Sequence, residues 1–223
     1  MAAAPSPLGR PVGANGEQTR RRIIASTMRC VAEVGYSKTT IREIATAAEM
    51  TSGSLYHYFA NKSDLLDATV REIDEMALPR LRAAAAQADD AVDRLEAVLD
   101  ELDRLMREYP DLAAFDRAMR AESRAHRRGR RGYPGLKALR QTIDGIIDDA
   151  RARGTLPPGT NPAAAVNAIY ALTRGLTEQA ANLTPESYAA TLRSAKELIR
   201  GTLFPRPTRR PKPTAQHRSI RDP

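Results

Sequence analysis

The sequence predicts an all-α protein, and three observations carry that prediction. Aromatic residues are only 4% of the 223 and Trp is absent. Alanine, leucine, isoleucine and arginine fill the middle of the chain, which favours helices over a β-sandwich. Apolar residues recur at i, i+3, i+4 and i+7 in segment after segment, and no two segments read as a strand pair.

The elements follow in order. Residues 1–16 carry Pro5, Pro7 and Pro11 among glycines and an asparagine, the composition of a disordered arm. From Glu17 to Val34, Ile24, Met28 and Val31 form a helical stripe joined by Ile23 and Val34, and Gly35 ends it as a glycine at C′ does. Ile41, Ile44, Ala45 and Ala48 make the next stripe, with Thr40 and Glu43 before it as a capping box. After a break at Glu49-Met50, Thr51 caps a short helix from Ser52 to Tyr58. Asn61 and Asp64 frame a long helix to about Ala86, which Pro79 should kink or interrupt. Val92, Leu95, Leu99, Leu102 and Met106, widened by Val98 and Leu105, mark a buried helix. Pro110 suits the first turn of another, bearing Leu112, Phe115 and Met119. Leu136, Leu139, Ile143, Ile146 and Ile147 mark the next. Asn161-Pro162 and Thr184-Pro185 each read as an N-cap followed by Pro at N1, opening helices over 162–183 and 185–203. Residues 205–223, with Pro205, Pro207, Pro211 and Pro213 among basic residues, read as a disordered tail. About nine helices result.

Charge is segregated along the chain. Residues 1–62 hold 8 Lys/Arg against 4 Asp/Glu, whereas residues 63–119 hold 7 against 15. A basic start and an acidic middle point to a polyanion-binding head on a body that avoids the polyanion. Arg124, Arg127, Arg128, Arg130 and Arg131 make a second basic stretch. A single cysteine, Cys30, excludes a disulfide framework and a Cys-based zinc site. Cys30 sits beside the apolar stripe of the first helix, which favours a buried small hydrophobe over a redox sensor. No run reaches the roughly 18 apolar residues of a membrane span, and the first residues lack the apolar core of a signal peptide. A cytoplasmic protein without a membrane partner is the expectation.

Residues 40–59, TIREIATAAEMTSGSLYHYF, have helix-turn-helix spacing. Leu55 and Phe59 are i and i+4 and face inward, which leaves Ser52, Gly53, Ser54, Tyr56 and His57 off the core stripe. Small polar residues at a helix N-terminus permit close approach to a duplex. The exposed N–H groups there attract phosphate, and Ser and Thr hydroxyls bond to base edges or phosphate oxygens. Tyr56 can give its hydroxyl to a phosphate or its ring to a thymine methyl. Lys62 and Thr40 can each meet a phosphate, from opposite ends of the motif.

The segment resembles the TetR family of bacterial transcription regulators. The resemblance rests on Gly35-Tyr36, on Thr39-Thr40-Ile41-Arg42-Glu43-Ile44-Ala45, on Gly53-Ser54-Leu55-Tyr56-His57-Tyr58-Phe59, and on Lys62 with Leu65-Leu66. It covers about residues 17–77. The chain departs at Glu49-Met50, where the family usually has glycine and then an aliphatic residue; glycine there eases a turn with positive φ. The resemblance implies a homodimer, each subunit with an N-terminal three-helix helix-turn-helix DNA-binding domain (17–77) and a larger helical ligand-binding and dimerisation domain (78–204). It also implies that Thr40, Thr51, Ser52, Ser54, Tyr56, His57 and Lys62 face DNA, and that the protein is a repressor released by a small molecule.

In the last two helices, Ala165, Ile169, Leu172 and Leu176, and then Tyr188, Leu192, Ala195 and Ile199, step by four, three and four. That spacing fits helix packing at about +20°, and two such helices per subunit make a four-helix seam across a two-fold axis. Such a dimer reads a near-palindromic double-stranded operator with half-sites roughly 34–36 Å apart or a multiple of that. Effector-lining candidates are Leu102, Met106, Phe115, Met119, Ile143, Ile147 and Tyr170, for each of which an ordinary core role is the competing reading. The basic stretch 124–131 has three readings: contact with an acyl-CoA-like or other acidic effector, non-specific contact with DNA, or a solvated loop. No cofactor or metal is expected. Enzyme chemistry finds no support, since the chain lacks a phosphate-binding glycine loop, a nucleophile elbow and metal-ligand spacing. The alternative function is an architectural DNA-binding protein without an effector.

Overall fold

The computed structural model describes residues 12–125 and 137–204. The expected arm up to residue 11, the basic stretch from 126 and the tail 205–223 lie outside the described residues. Among the described residues nine helices run in order: α1 Val12–Val34, α2 Ile41–Ala47, α3 Ser52–Tyr56, α4 Lys62–Ala85, α5 Ala91–Glu108, α6 Leu112–Ala125, α7 Lys137–Ala152, α8 Pro162–Ala180 and α9 Pro185–Arg200. The all-α expectation holds, with no strand among the described residues.

Helix starts are set locally. Thr40 accepts the Glu43 N–H while the Glu43 carboxylate accepts the Thr40 N–H, closing the expected capping box. Thr51, Asn61, Asp90, Asn161 and Thr184 cap α3, α4, α5, α8 and α9 in the same manner, each satisfying a backbone donor that the first turn leaves free. One expectation needs correction. α1 begins at Val12, so residues 12–16 belong to a helix rather than to the arm; glycine lowers helix propensity without forbidding a helix. Pro79 lies inside α4 without interrupting it.

Buried apolar residues form two clusters. The smaller joins Ile23, Ile24 and Cys30 of α1, Ile44 and Ala45 of α2, Leu55, Phe59, and Leu65 and Ala68 of α4. The larger gathers α4–α9 around Leu102, Phe115 and Ile143. It also takes Met28 and Val31 from α1 and Leu66 and Ile73 from α4. α1 and α4 therefore lend one face to the head and another to the body. The expected boundary at residue 77/78 falls inside a continuous helix, and the two cores divide across helix faces.

Folding pairs part of the acidic middle of the chain with basic residues of other helices. Arg80 of α4 bonds Glu101 at 2.7 Å and Glu108 at 2.6 Å. Arg200 of α9 grips Glu96 through both nitrogens of its fork, one at 2.7 Å. Lys196 pairs with Asp100. These pairs hold α5 to its neighbours.

Candidate nucleic-acid interface

α2, the turn and α3 are built almost entirely by short-range bonds. Met50 N–H donates to Ala45 C=O at 2.9 Å and Glu49 N–H to Thr46 C=O at 3.0 Å. These are the two bonds of a Schellman motif with Glu49 at C′. Glu49 has φ 54°, the one non-glycine residue with positive φ among those described. α7 and α9 end in the same bond pattern with Gly154 and Gly201 at that position. The departure from the family pattern is thus real, and the turn geometry survives it.

Leu55 and Phe59 anchor α3, at 0% and 5% exposure. The Arg20 guanidinium lies 5.0 Å over the Phe59 ring, and Arg29 donates to the Ala47 carbonyl at the end of α2. The opposite flank is open: Thr51, Gly53, Tyr56 and His57 are exposed, and Ser52 and Ser54 partly so. Tyr56 is 53% exposed and Tyr58 38%. Gly53 has no positive φ, and a Cβ added there would meet only the Thr51 hydroxyl, at 3.8 Å. Nothing inside the subunit requires glycine at that position.

Three expected contact residues do structural work as well. The Thr40 hydroxyl is engaged with Glu43, and the Thr51 hydroxyl with Ser54 N–H and Oγ. Lys62 is partly buried: its ammonium donates to the Tyr36 carbonyl and sits 4.6 Å over the Tyr36 ring. Burial lowers its pKa, an effect opposed by Glu122 and Glu43. An ammonium has three donors, so this tether leaves Lys62 hydrogens for a further acceptor. Arg42, exposed on α2, is the only Lys or Arg between Thr39 and Phe59. The sequence reading passed over it because it sits between core positions; its lone positive charge was the available signal.

In the body, the seven effector-lining candidates come together. Leu102, Met106, Phe115, Ile143 and Ile147 are buried in one cluster, with Met119 and Tyr170 packed against it. An open groove of about 560 Å³ lies elsewhere, between α4 and α7, bordered by Val70, Arg71, Asp74, Leu78 and Lys137. There Asp74 accepts the Ala138 N–H at 3.0 Å, and burial raises its carboxyl pKa.

Of the five expected dimer-seam residues, two are covered within the subunit and three remain partly exposed. Leu176 and Leu192 are buried in the subunit's own core with Tyr188 and Ala195, while Ile169, Leu172 and Ile199 pack against that core. An apolar stripe marks a desolvated face but does not say which partner covers it. The outward face of α8 carries Ala164, Ala168, Ala171 and Gly175, and Leu198 of α9 is 48% exposed. Cys30 is buried and its thiol pKa is raised by that burial, as suits a packing residue.

A three-helix head whose short third helix shows a polar flank defines the helix-turn-helix class. The family model described as bacterial regulatory proteins, tetR family, matches residues 23–69. The HTH-type transcriptional repressor Rv1474c of Mycobacterium tuberculosis is 31% identical over 167 residues, 64% of this chain and 84% of that protein. The chain belongs to the tetR family. It is also 36% identical over 83 residues to the transcriptional regulator BetI of Escherichia coli; that match takes 36% of this chain and spans only 43% of BetI. Among solved structures, the regulator FadR of Bacillus subtilis in complex with stearoyl-CoA aligns with a TM-score of 0.68 at 21% identity, covering 82% of this chain and 99% of FadR. FadR of Bacillus halodurans aligns with the same TM-score at 18% identity, covering 81% and 94%. Both share the fold. No described helix is long and apolar enough to cross a membrane.

Proposed function

We propose that the protein is a sequence-specific DNA-binding transcriptional regulator, acting as a homodimeric repressor that a small molecule releases from a near-palindromic operator. The exposed flank Ser52-Gly53-Ser54-Tyr56-His57, held outward by buried Leu55 and Phe59, carries this reading. α3 enters the major groove by its N-terminal end. Tyr56, His57 and the serine hydroxyls face bases and phosphates, while Thr40, Thr51 and Lys62 set the helix and meet the backbone. The head-like match to named regulators and the longer match to a named repressor support it.

The dimer uses the outward small-residue face of α8 together with α9, in place of the inward stripe. Ligand binding in the body favours a state whose heads stand at the wrong separation, and it shifts the equilibrium only by its affinity difference between the two states. Head and body are physically linked: Ser37, in the turn before α2, donates to Glu122 of α6 at 2.7 Å.

Selection of bound sequences from random DNA tests the function. A regulator prefers its site by roughly 10³-fold or more at physiological salt; uniform affinity across sequences would instead favour the architectural alternative. Tyr56→Phe and Lys62→Ala should each weaken binding to the selected site, with circular dichroism and light scattering unchanged.

A further inference from the structure

On one face of α8, Asn167, Tyr170, Arg174 and Glu178 follow at helical spacing. Asp116 and Arg120 of α6 and Arg140 of α7 meet that face. Arg120 pairs with Asp116 at 2.6 Å and reaches Glu178 at 3.6 Å. Arg140 donates to Asn167 at 2.8 Å and lies 5.4 Å from the centre of the Tyr170 ring. The charges of Asp116, Arg174, Arg120 and Arg140 all act on the Tyr170 hydroxyl.

The charge balance is uneven. Asp116, 1% exposed, is matched by Arg120, itself 11% exposed, and Glu178 is 45% exposed. Among the described residues no carboxylate pairs with Arg140 or Arg174. The Arg174 Nε is buried without an acceptor. Buried donors in native proteins almost always have partners, so this Nε is placed to donate to one. Guanidinium forks match carboxylate and phosphate oxygens in a bidentate manner. Beside the cluster the packed core is apolar: Phe115 and Met119 neighbour Asp116 and Arg120 along α6, and Ile143 lies one turn from Arg140 on α7.

We propose that Arg120, Arg140 and Arg174 form the anchor for the acidic head of the effector, which is an organic anion with an apolar body. This rests on the reading that the body binds an effector. An occupant there joins α8 to α6, the helix whose Glu122 holds the head.

The test uses the full chain and a matched series: decanoate, decyl phosphate, decanol and decylamine, titrated by calorimetry and assayed for release of the selected operator. One or both anions should bind at least tenfold more tightly than decanol, and whichever binds identifies the head as carboxylate or phosphate. Arg174→Met should collapse the anion-to-alcohol ratio while leaving decanol binding unchanged; a purely structural arginine would lower melting temperature without moving that ratio. Equal binding of decanol or decylamine, or an unchanged ratio in Arg174→Met, overturns the anchor. Operator release by a neutral or cationic compound and by no anion overturns the anchor and keeps the regulator. Anion preference without any operator preference keeps the anchor and removes the regulator.

Discussion

The head and the body solve the problem of polar residues in opposite ways. In the body, acids and bases are matched across helices, as in Arg80 with Glu101 and Arg200 with Glu96. On α3 and at its C-cap the flank away from Leu55 faces outward: Gly53, Tyr56 and His57 are exposed. The body's charges describe how helices are held together. The head's uncommitted flank describes what it meets. Charge counts along the sequence blur these two uses, and partner geometry separates them.

Five substitutions, three in the body and two in the head, would break or sharpen that contrast. Phe115→Ala empties the centre of the body and should cost about 3–5 kcal/mol in urea unfolding, the range for a buried Phe. A loss under 1 kcal/mol would show that the cluster already contains space. Leu176→Ala should cost about 2–5 kcal/mol because the side chain is inside the subunit. Ala171→Glu, on the outward face of α8, should leave the subunit folded and split the dimer in sedimentation; the reverse pattern would restore the inward seam.

In the head, Thr40→Ala removes a cap and should cost about 1 kcal/mol. Gly53→Ala is the most discriminating. It removes the helical cost of glycine and should stabilise the head by about 0.5–1 kcal/mol, yet weaken operator binding by placing a methyl on the approaching face. Higher stability with unchanged affinity would move α3's N-terminus away from the duplex.

Asp74 adds a test of α4 against α7. Burial raises its folded pKa above the unfolded value, so its contribution favours folding below the unfolded pKa and is lost as pH rises through the folded pKa. Asp74→Asn should therefore raise the melting temperature at pH 7, with the gain shrinking in acid. An equal gain at every pH would assign it to something other than the carboxylate charge.

The head was legible because its determinants lie within a few residues of one another. The capping box at Thr40 and Glu43, the cap at Thr51 and the Leu55–Phe59 pair each span three or four positions, and all fold as read. Even the departure at Glu49 announced its own geometry, since the family's glycine marks a positive φ. Lys62 was half legible: its charge was visible, but its tether to the Tyr36 carbonyl is 26 residues away in sequence. In the last two helices periodicity locates the apolar stripe and leaves its partner open, and only the fold shows that Leu176 and Leu192 are covered within the subunit.

The sequence by itself determined the helices, their caps, the turn between α2 and α3 and the residues turned away from the head's core, because each depends on contacts within about one helical turn. Only the tertiary structure decided which helix faces meet, which arginines neutralise the acids of α5, and that Arg140 and Arg174 gather beside Tyr170. Those outcomes join positions tens of residues apart, and no local spacing records them.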